Sequence, residues 1–446
     1  MRTPATVACL LALTLLAGCA ATTGKGVDDA IPIRSVVDPG ARKAALAQLP
    51  PAERSRYCQS SARRASLAVE ARISGPVRRQ NSTAQIAGTA IFETVEGWYA
   101  GHPLASEVLR DTLENGARIN AFTKVLPYSP PEYPGYNPMN EPIYQVGNFM
   151  LALAHGYAVL KEDYPEDAEL LAAVRRWGDR LFEITSNSSD EFGGRARGVD
   201  RRTLIAQGWA HWGNLTGNRK ALDAAYRYYA HAVNSIGQGG KDRFWRYLFP
   251  SRVLYYTNMT YGSAMVTAYA LYRSGASDVY EIAPGGGTLV EGATFYWESF
   301  LEEQPFDLME SRTWGSRSPA WTELFVREFP NHPAAVKMAS WLSKDSWVPK
   351  FAYTSGGGPS TCLYRRIPPQ SRIVGSMLTL PHLAFQGMND TNPARRLDAG
   401  IEYVGRRPPD RLGICTEGNK APCWVGASVT VPEGRSVHYQ GETLPL

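Results

Sequence analysis

Apolar residues between positions 82 and 345 return at i, i+3, i+4 and i+7, the period of an amphipathic helix. The pattern predicts helices over 83–99, 104–123, 141–161, 166–186, 200–215, 218–236, 260–274, 288–303 and 318–343. Punctuation agrees with it. Pro165-Glu166-Asp167 opens a helix with acidic first-turn residues, and Thr216-Gly217 and Ser274-Gly275 close others. Period-two alternation is scarce in this region. Many consecutive helices in a chain of 446 residues point to an all-α dominated body, an (α/α) toroid or incomplete barrel, with an irregular bundle as the alternative.

The flanks read differently. Residues 1–18 form a signal-like segment. Residues 19–80 are a tether and N-terminal segment, in which 20–50 show no sustained periodicity. The toroid is expected over 81–345. After it, 346–446 is cut by Gly356-Gly357-Gly358-Pro359, Pro368-Pro369 and Pro408-Pro409 into a loop-rich C-terminal region packing on the toroid. Ser428-Val429-Thr430-Val431 reads as a strand, and a separate small β domain is the alternative for this region.

Met1-Arg2-Thr3 and the apolar run Val7–Leu16 have the layout of an export signal, and the run is shorter than the ~20 residues a spanning helix needs. Its ending, Leu16-Ala17-Gly18-Cys19, resembles the lipobox of bacterial lipoproteins. That resemblance implies cleavage before Cys19, lipidation of its thiol and, since Ala20 follows, a cell-envelope protein anchored to the outer membrane. Export makes disulfides the expected fate of the other cysteines. Cys9 leaves with the signal. Cys58, Cys362, Cys415 and Cys423 allow three connectivities. The short polar loop between Cys415 and Cys423 favours that pair and leaves Cys58 for Cys362.

A net charge of +5 without a Lys/Arg-rich tract argues against a nucleic-acid partner and suits an anionic substrate weakly. With 7 His, no His-Glu-x-x-His and no Cys-x-x-Cys, no metal or other cofactor is expected. There is no Gly-x-Ser-x-Gly elbow, and Gly285-Gly286-Gly287 lacks the residues of a P-loop.

Polar stripes interrupt two of the apolar helices. Tyr144, Asn148 and His155 share one face of 141–161. Gln207, His211 and Asn214 share one face of 200–215, flanked by Trp209 and Trp212. Two amide-plus-imidazole stripes suggest a cleft for a polar polymer, against the plainer reading of hydrogen-bonded core residues. A third cluster, Tyr255-Tyr256-Thr257-Asn258-Met259-Thr260-Tyr261, crowds the expected start of 260–274, where Asn258 is equally a helix cap.

This last run resembles the Asn-Asn-His-x-Tyr-Trp-like segment of alginate-lyase-like polysaccharide lyases, with Asn258 on the second Asn and Tyr261 on the Tyr. Glu310-Ser311-Arg312 is similar to a second segment of that family. The resemblance implies an (α/α) toroid and cleavage of an acidic, uronate-containing polysaccharide by β-elimination. Asn258 and Arg312 would neutralise the uronate carboxylate, and Tyr261 would protonate the leaving oxygen and serve as base. Apart from the resemblance, the polar stripes and the aromatic cluster offer His211 to assist either step and Asn148, His155, Tyr144, Gln207 and Tyr256 to bind substrate. Two departures stand out. Met259 replaces the family's His, and the family's Tyr beyond the Arg is absent.

The residue types suit the chemistry. Proton loss at C5 builds negative charge on the adjacent carboxylate, which amide or guanidinium donors stabilise. Two other readings remain at this level. One is a glycoside hydrolase using two of Glu141, Asp190, Glu191 and Asp200. The other is a non-catalytic glycan-binding envelope lipoprotein.

Overall fold

A helix that is apolar on all sides has to be surrounded, whereas one with a single apolar stripe has to face water on the other side. The computed structural model obeys this rule. It describes residues 35–74, 81–128, 137–188, 199–243, 253–301, 319–342 and 357–367, with short strands at 415–416, 435–439 and 442–444. Four helices form the inner layer: α3 (Thr83–Ala100), α5 (Asn140–Asp163), α7 (Val199–Thr216) and α9 (Val253–Arg273). Each packs on the next, α3 on α5, α5 on α7, α7 on α9. On α5 every residue from Glu141 to Leu160 is buried. Between them run α4 (Ala105–Ile119), α6 (Ala168–Ser188) and α8 (Arg219–Val233), the outer helices. The buried residues of α4 are Ala105, Leu109, Thr112, Leu113 and Gly116, one stripe. This is the hairpin toroid that the periodicity predicts.

Glycine sets how closely the inner helices approach. A methyl group on Gly208 of α7 would lie 2.6 Å from the Gly147 carbonyl oxygen of α5. No side chain fits between the two backbones there. The pairing is parallel and in register. Gln207 and Asn148, each eight residues from its helix start, share a hydrogen bond of 3.1 Å between Gln207 Nε2 and Asn148 Oδ1. Asn214 Nδ2 of α7 donates to the Ala270 carbonyl of α9 at 2.7 Å. Glu141–Arg201, Asn148–Gln207 and His155–His211 follow the same order along α5 and α7, as Phe92–His155 and Trp98–Asp163 do along α3 and α5. These helices therefore begin at one end of the toroid, here called the mouth, and the Asn214–Ala270 bond levels α9 with them.

Several boundaries differ from the sequence expectation. Residues 39–47 are not tether. Asp38 caps α1 (Pro39–Ala47), accepting from the Ala41 amide at 2.9 Å, and Leu46 is buried. A second short helix, α2 (Pro51–Tyr57), follows. Helix α4 stops at Ile119 because Asn120 turns left-handed, at φ 51°. Helix α9 starts seven residues earlier than 260, so Asn258 lies in its second turn and caps nothing. The predicted 288–303 helix is α10 (Leu289–Tyr296), opened by a reciprocal Thr288/Glu291 capping box, and it continues as a π-helical turn, Trp297–Leu301. The predicted 318–343 helix is two helices, α11 (Thr322–Glu328) and α12 (Pro333–Leu342), separated where Pro330 and Pro333 cannot continue the ladder. The Ser428–Val431 strand lies outside the described residues.

The segment 357–367, with α13 (Ser360–Tyr364), is clasped to the body. Cys58 and Cys362 form a disulfide across 304 residues of chain. The buried Arg42 guanidinium donates to the Cys362, Arg365 and Thr361 carbonyls at 2.7, 2.8 and 3.3 Å. Glu323 of α11 accepts from Thr361 at 2.9 Å and from Arg365. The Cys415 side chain and Cys423 lie outside the described residues, as does Cys19. Among the described residues no helix is long and apolar enough to cross a membrane.

Two stability effects follow. Gly208→Ala should destabilise by about 1–3 kcal/mol, since its methyl group meets rigid backbone, and urea unfolding measures it. Reducing the Cys58–Cys362 bond, or the double change Cys58→Ser with Cys362→Ser, should cost about 2–4 kcal/mol. Thermal unfolding with and without reductant should show that loss in the wild type and no effect of reductant in the double variant.

Candidate functional site

The register of the inner helices fixes the depth of each polar residue below the mouth, at 1.5 Å per residue. Four layers emerge.

The first is at the mouth. Arg201, in the first turn of α7, donates from Nε and Nη2 to Glu141 Oε2, in the first turn of α5, at 3.1 and 2.8 Å. The guanidinium carbon stands 6.0 Å from the ring centre of Tyr144, one turn further along α5. The side chains are 28% and 11% exposed for Arg201 and Glu141, so the pair touches solvent. Arg202 faces outward to Tyr228 and His231 of α8, 5.8 Å from the Tyr228 ring centre. Asp200 is buried beside them, and burial raises its carboxyl pKa above the ordinary value, opposed by Arg201. Tyr255 and Tyr256 are half-buried at the start of α9.

The second layer holds Asn258 and Tyr261. The Asn214–Ala270 bond aligns α9 with α7, which puts Asn258 level with Arg202 and Tyr261 about 6 Å below Arg201. Trp321 Nε1 donates to Asn258 Oδ1 at 2.8 Å. That contact assigns the amide, leaving Nδ2 as its donor side. The Tyr261 ring meets Tyr296 edge-on at 6.3 Å, and Tyr296 meets Trp321 at 6.4 Å. Burial drives the Tyr261 phenol well above pKa 10, reinforced by Asp242 and Tyr296. It therefore rests protonated.

The third layer is the Asn148–Gln207 amide pair. The fourth is His155 and His211, with ring centres 5.2 Å apart. His211 Nδ1 lies 2.9 Å from the Gln207 carbonyl. A carbonyl only accepts, so the proton is on Nδ1 and Nε2 carries the lone pair. Burial lowers the His211 pKa to about 4, and burial with the neighbouring His211 lowers His155 well below the ordinary value. Neither Nε2 has a hydrogen-bond partner among the described residues.

The sequence expectation of one shared, water-accessible hollow is corrected here. Asn258 and Tyr261 do come together, through Trp321 and Tyr296. His211 is not with them, because it lies about 9 Å deeper along the helix axis than Tyr261. Asn148, His155, Gln207 and His211 face one another in the buried centre and so form a core layer; they do not line an open cleft. Asn258 and Tyr261 are themselves 2% and 1% exposed. Arg312, with Asp190 and Glu191, lies outside the described residues. Arg201 was missed, although its signal was legible. Two successive arginines in the first turn of a helix oppose the helix dipole, and such a local conflict marks a site. Among the described residues no group of three or more His, Cys, Asp or Glu is placed to hold a metal ion.

Comparison with known proteins gives a fold and no family name. No protein-family model matches the chain, and no curated protein matches it in sequence. Solved structures do match. Alginate lyase A1-III from Sphingomonas species A1 superposes with a TM-score of 0.57 at 17% identity, covering 76% of this chain and 98% of that one. Two variants of alginate lyase A1-III complexed with tetrasaccharide give 0.55 and 0.54, at 16% and 18% identity, each covering 77% of this chain and 99% of the other. At these identities the likeness establishes the toroid fold.

The histidine layer sets a pH dependence with a definite sign. The folded state holds both imidazoles neutral, while unfolded histidine takes a proton near pH 6.5. Stability contributed by His211 is therefore complete above pH ~6.5 and lost as pH falls towards 4, by up to about 3 kcal/mol. Asp200, Glu323 and Glu328 have raised pKa values and work in the opposite direction. The wild type and His211→Gln should therefore be compared as a difference. Their melting temperatures should converge as pH drops from 7 to 4, and parallel curves would contradict the assignment.

Proposed function

We propose that the protein cleaves an acidic, uronate-containing polysaccharide by β-elimination, and that it does so at the mouth of the toroid. The observation that carries this reading is the Asn258–Trp321–Tyr296–Tyr261 cluster, lying within about 6 Å of the axial level of Arg201, in a toroid shared with alginate lyases over nearly their whole length. Convergent helix N-termini add positive potential where an enolate-like intermediate builds negative charge. Arg201 and the Asn258 amide donors neutralise the uronate carboxylate. Tyr261, held as the phenol, protonates the departing glycosidic oxygen. Tyr256, half-buried at the start of α9, offers a ring to the sugar chain. Export and a lipid anchor at Cys19 belong to the same proposal. They rest on the Leu-Ala-Gly-Cys sequence and would place the enzyme in the cell envelope, beside a polymer too large to enter the cell.

A second reading has its own observation. Glu141 and Asp200 stand together at the mouth in unlike environments, one gripped by Arg201 and the other buried with a raised pKa. Two carboxyls separated in this way are what acid-assisted glycoside hydrolysis uses.

The product distinguishes the two. Incubation with alginate, glucuronan and related polymers should raise the ultraviolet absorbance of the C4–C5 unsaturated uronate. New reducing ends without absorbance would select hydrolysis, and binding with neither would select a glycan-binding protein. Tyr261→Phe, which keeps the ring in place, should lower turnover by at least about a hundredfold with substrate affinity nearly unchanged. Full activity in that variant would remove Tyr261 from the mechanism.

A further inference from the structure

The mouth ion pair is placed oddly for a structural device. Arg201 sits in the first turn of α7, with Arg202 beside it, where the helix dipole repels cations. Its partner Glu141 opens α5. Both Nε and Nη2 converge on a single carboxylate oxygen. The Arg201 side chain is 28% exposed, against 20% for Arg365 in its pair with Glu323, and Arg42 is buried on backbone carbonyls. Glu141 is nearly buried and suits the start of α5, but the dipole of α7 works against Arg201, which reduces what the pair contributes to stability. What the arrangement does provide is a preformed carboxylate seat, ringed by Tyr144 and level with Asn258, that is filled by the protein's own carboxylate.

We propose that Arg201 is the specificity-determining carboxylate receptor of the substrate site, and that Glu141 occupies it in the free protein and is displaced by a uronate carboxylate. This deepens the lyase reading above and rests on it. No bond is made or broken in the exchange. One carboxylate replaces another on the same two N–H donors, and the guanidinium charge stays balanced throughout. Glu141 then acts as a built-in competitor. A neutral sugar cannot repay the loss of that ion pair, so it is rejected. A uronate repays it in kind, and discrimination follows from the unpaired charge left by the wrong ligand.

The test is a binding measurement on the full chain carrying Tyr261→Phe, so that ligand is retained. Calorimetry compares a uronate tetrasaccharide with its carboxyl-reduced, neutral counterpart. Adding Glu141→Gln should tighten the uronate by about tenfold, the worth of a charged hydrogen bond released to the ligand. The neutral sugar should change little. Arg201→Gln combined with Glu141→Gln puts an amide pair in place of the ion pair. It should weaken the uronate by about ten- to a hundredfold relative to Glu141→Gln alone. Glu141→Asp, which shortens the competing arm by one carbon, should give a smaller gain in the same direction, and circular dichroism establishes that each variant is folded. Folded Glu141→Gln protein with unchanged or weaker uronate affinity would overturn the proposal, as would a parent that does not bind the uronate. The outcomes separate it from the lyase reading. Arg201-dependent binding without unsaturated product keeps the receptor and ends the lyase. Unsaturated product with binding indifferent to both residues does the reverse.

Discussion

The contact of α5 with α7 fixes everything that was described at the mouth and in the centre. Gly147 and Gly208 allow the two backbones to touch, and the Asn148–Gln207 hydrogen bond locks them in one register. Once that register is set, geometry leaves little choice. Seven residues towards the start of α5 and six towards that of α7, Glu141 meets Arg201. Towards the other end, His155 meets His211. A slip of one helical turn, about 5.4 Å, would break the amide pair and part both couples at once. The side chains that mark the site are thus held by a contact about 10 Å away from it.

The polar layers have an energetic cost. Asn148 Nδ2, both imidazole Nε2 atoms and the Tyr261 hydroxyl are buried without a hydrogen-bond partner among the described residues. Such groups cost on the order of 1–3 kcal/mol each. An apolar core of the same shape would be more stable, yet it would fit almost equally well one turn out of register. The amide pair gives the correct register a buried hydrogen bond that a slipped register would lose, which is how buried polar groups confer uniqueness. The Glu323–Arg365–Arg42 clasp and the Cys58–Cys362 bond then hold the segment 357–367 and the N-terminal helix α1 to the body, independently of the inner register.

Much of the fold was legible because helical period located its helices. Which of them lie inside came only from packing: α7 carries Asp200, Gln207, His211 and Asn214 and is nonetheless buried along most of its length. The missed pieces have physical causes. The extra turns of α9 were hidden because Tyr255, Tyr256 and Thr257 are poor helix formers whose place is decided by packing. Helix α1 is short and weakly patterned, and it forms because Asp38 caps it and α3 supports it. At the site, periodicity placed Asn148, His155, Gln207 and His211 on shared faces correctly. It could not say whether a shared face meets solvent or another helix. Depth along the axis depends on inter-helix register, which one helix's pattern does not contain. For that reason His211 was grouped with Tyr261, while Arg201, a cation in the first turn of α7, went unnoticed.

Depth also decides what chemistry each layer can perform. The histidines have a lone pair suited to a base, but they lie about 15 Å or more below the mouth, and burial has made His211 a weak one. Tyr261 lies near enough to the mouth, and its raised pKa makes it a proton donor at neutral pH. To serve as base it would first need a cation close by. Among the described residues Arg201 and Arg202 lie near its level; Arg202 turns out to Tyr228 and His231 of α8, and the charge of Arg201 is already answered by Glu141. Exchange of Glu141 for a ligand carboxylate keeps the charge answered, so the phenol stays protonated through binding. The arrangement therefore favours carboxylate recognition at the rim and proton donation just beneath it. Both depend on the same two helix starts remaining level.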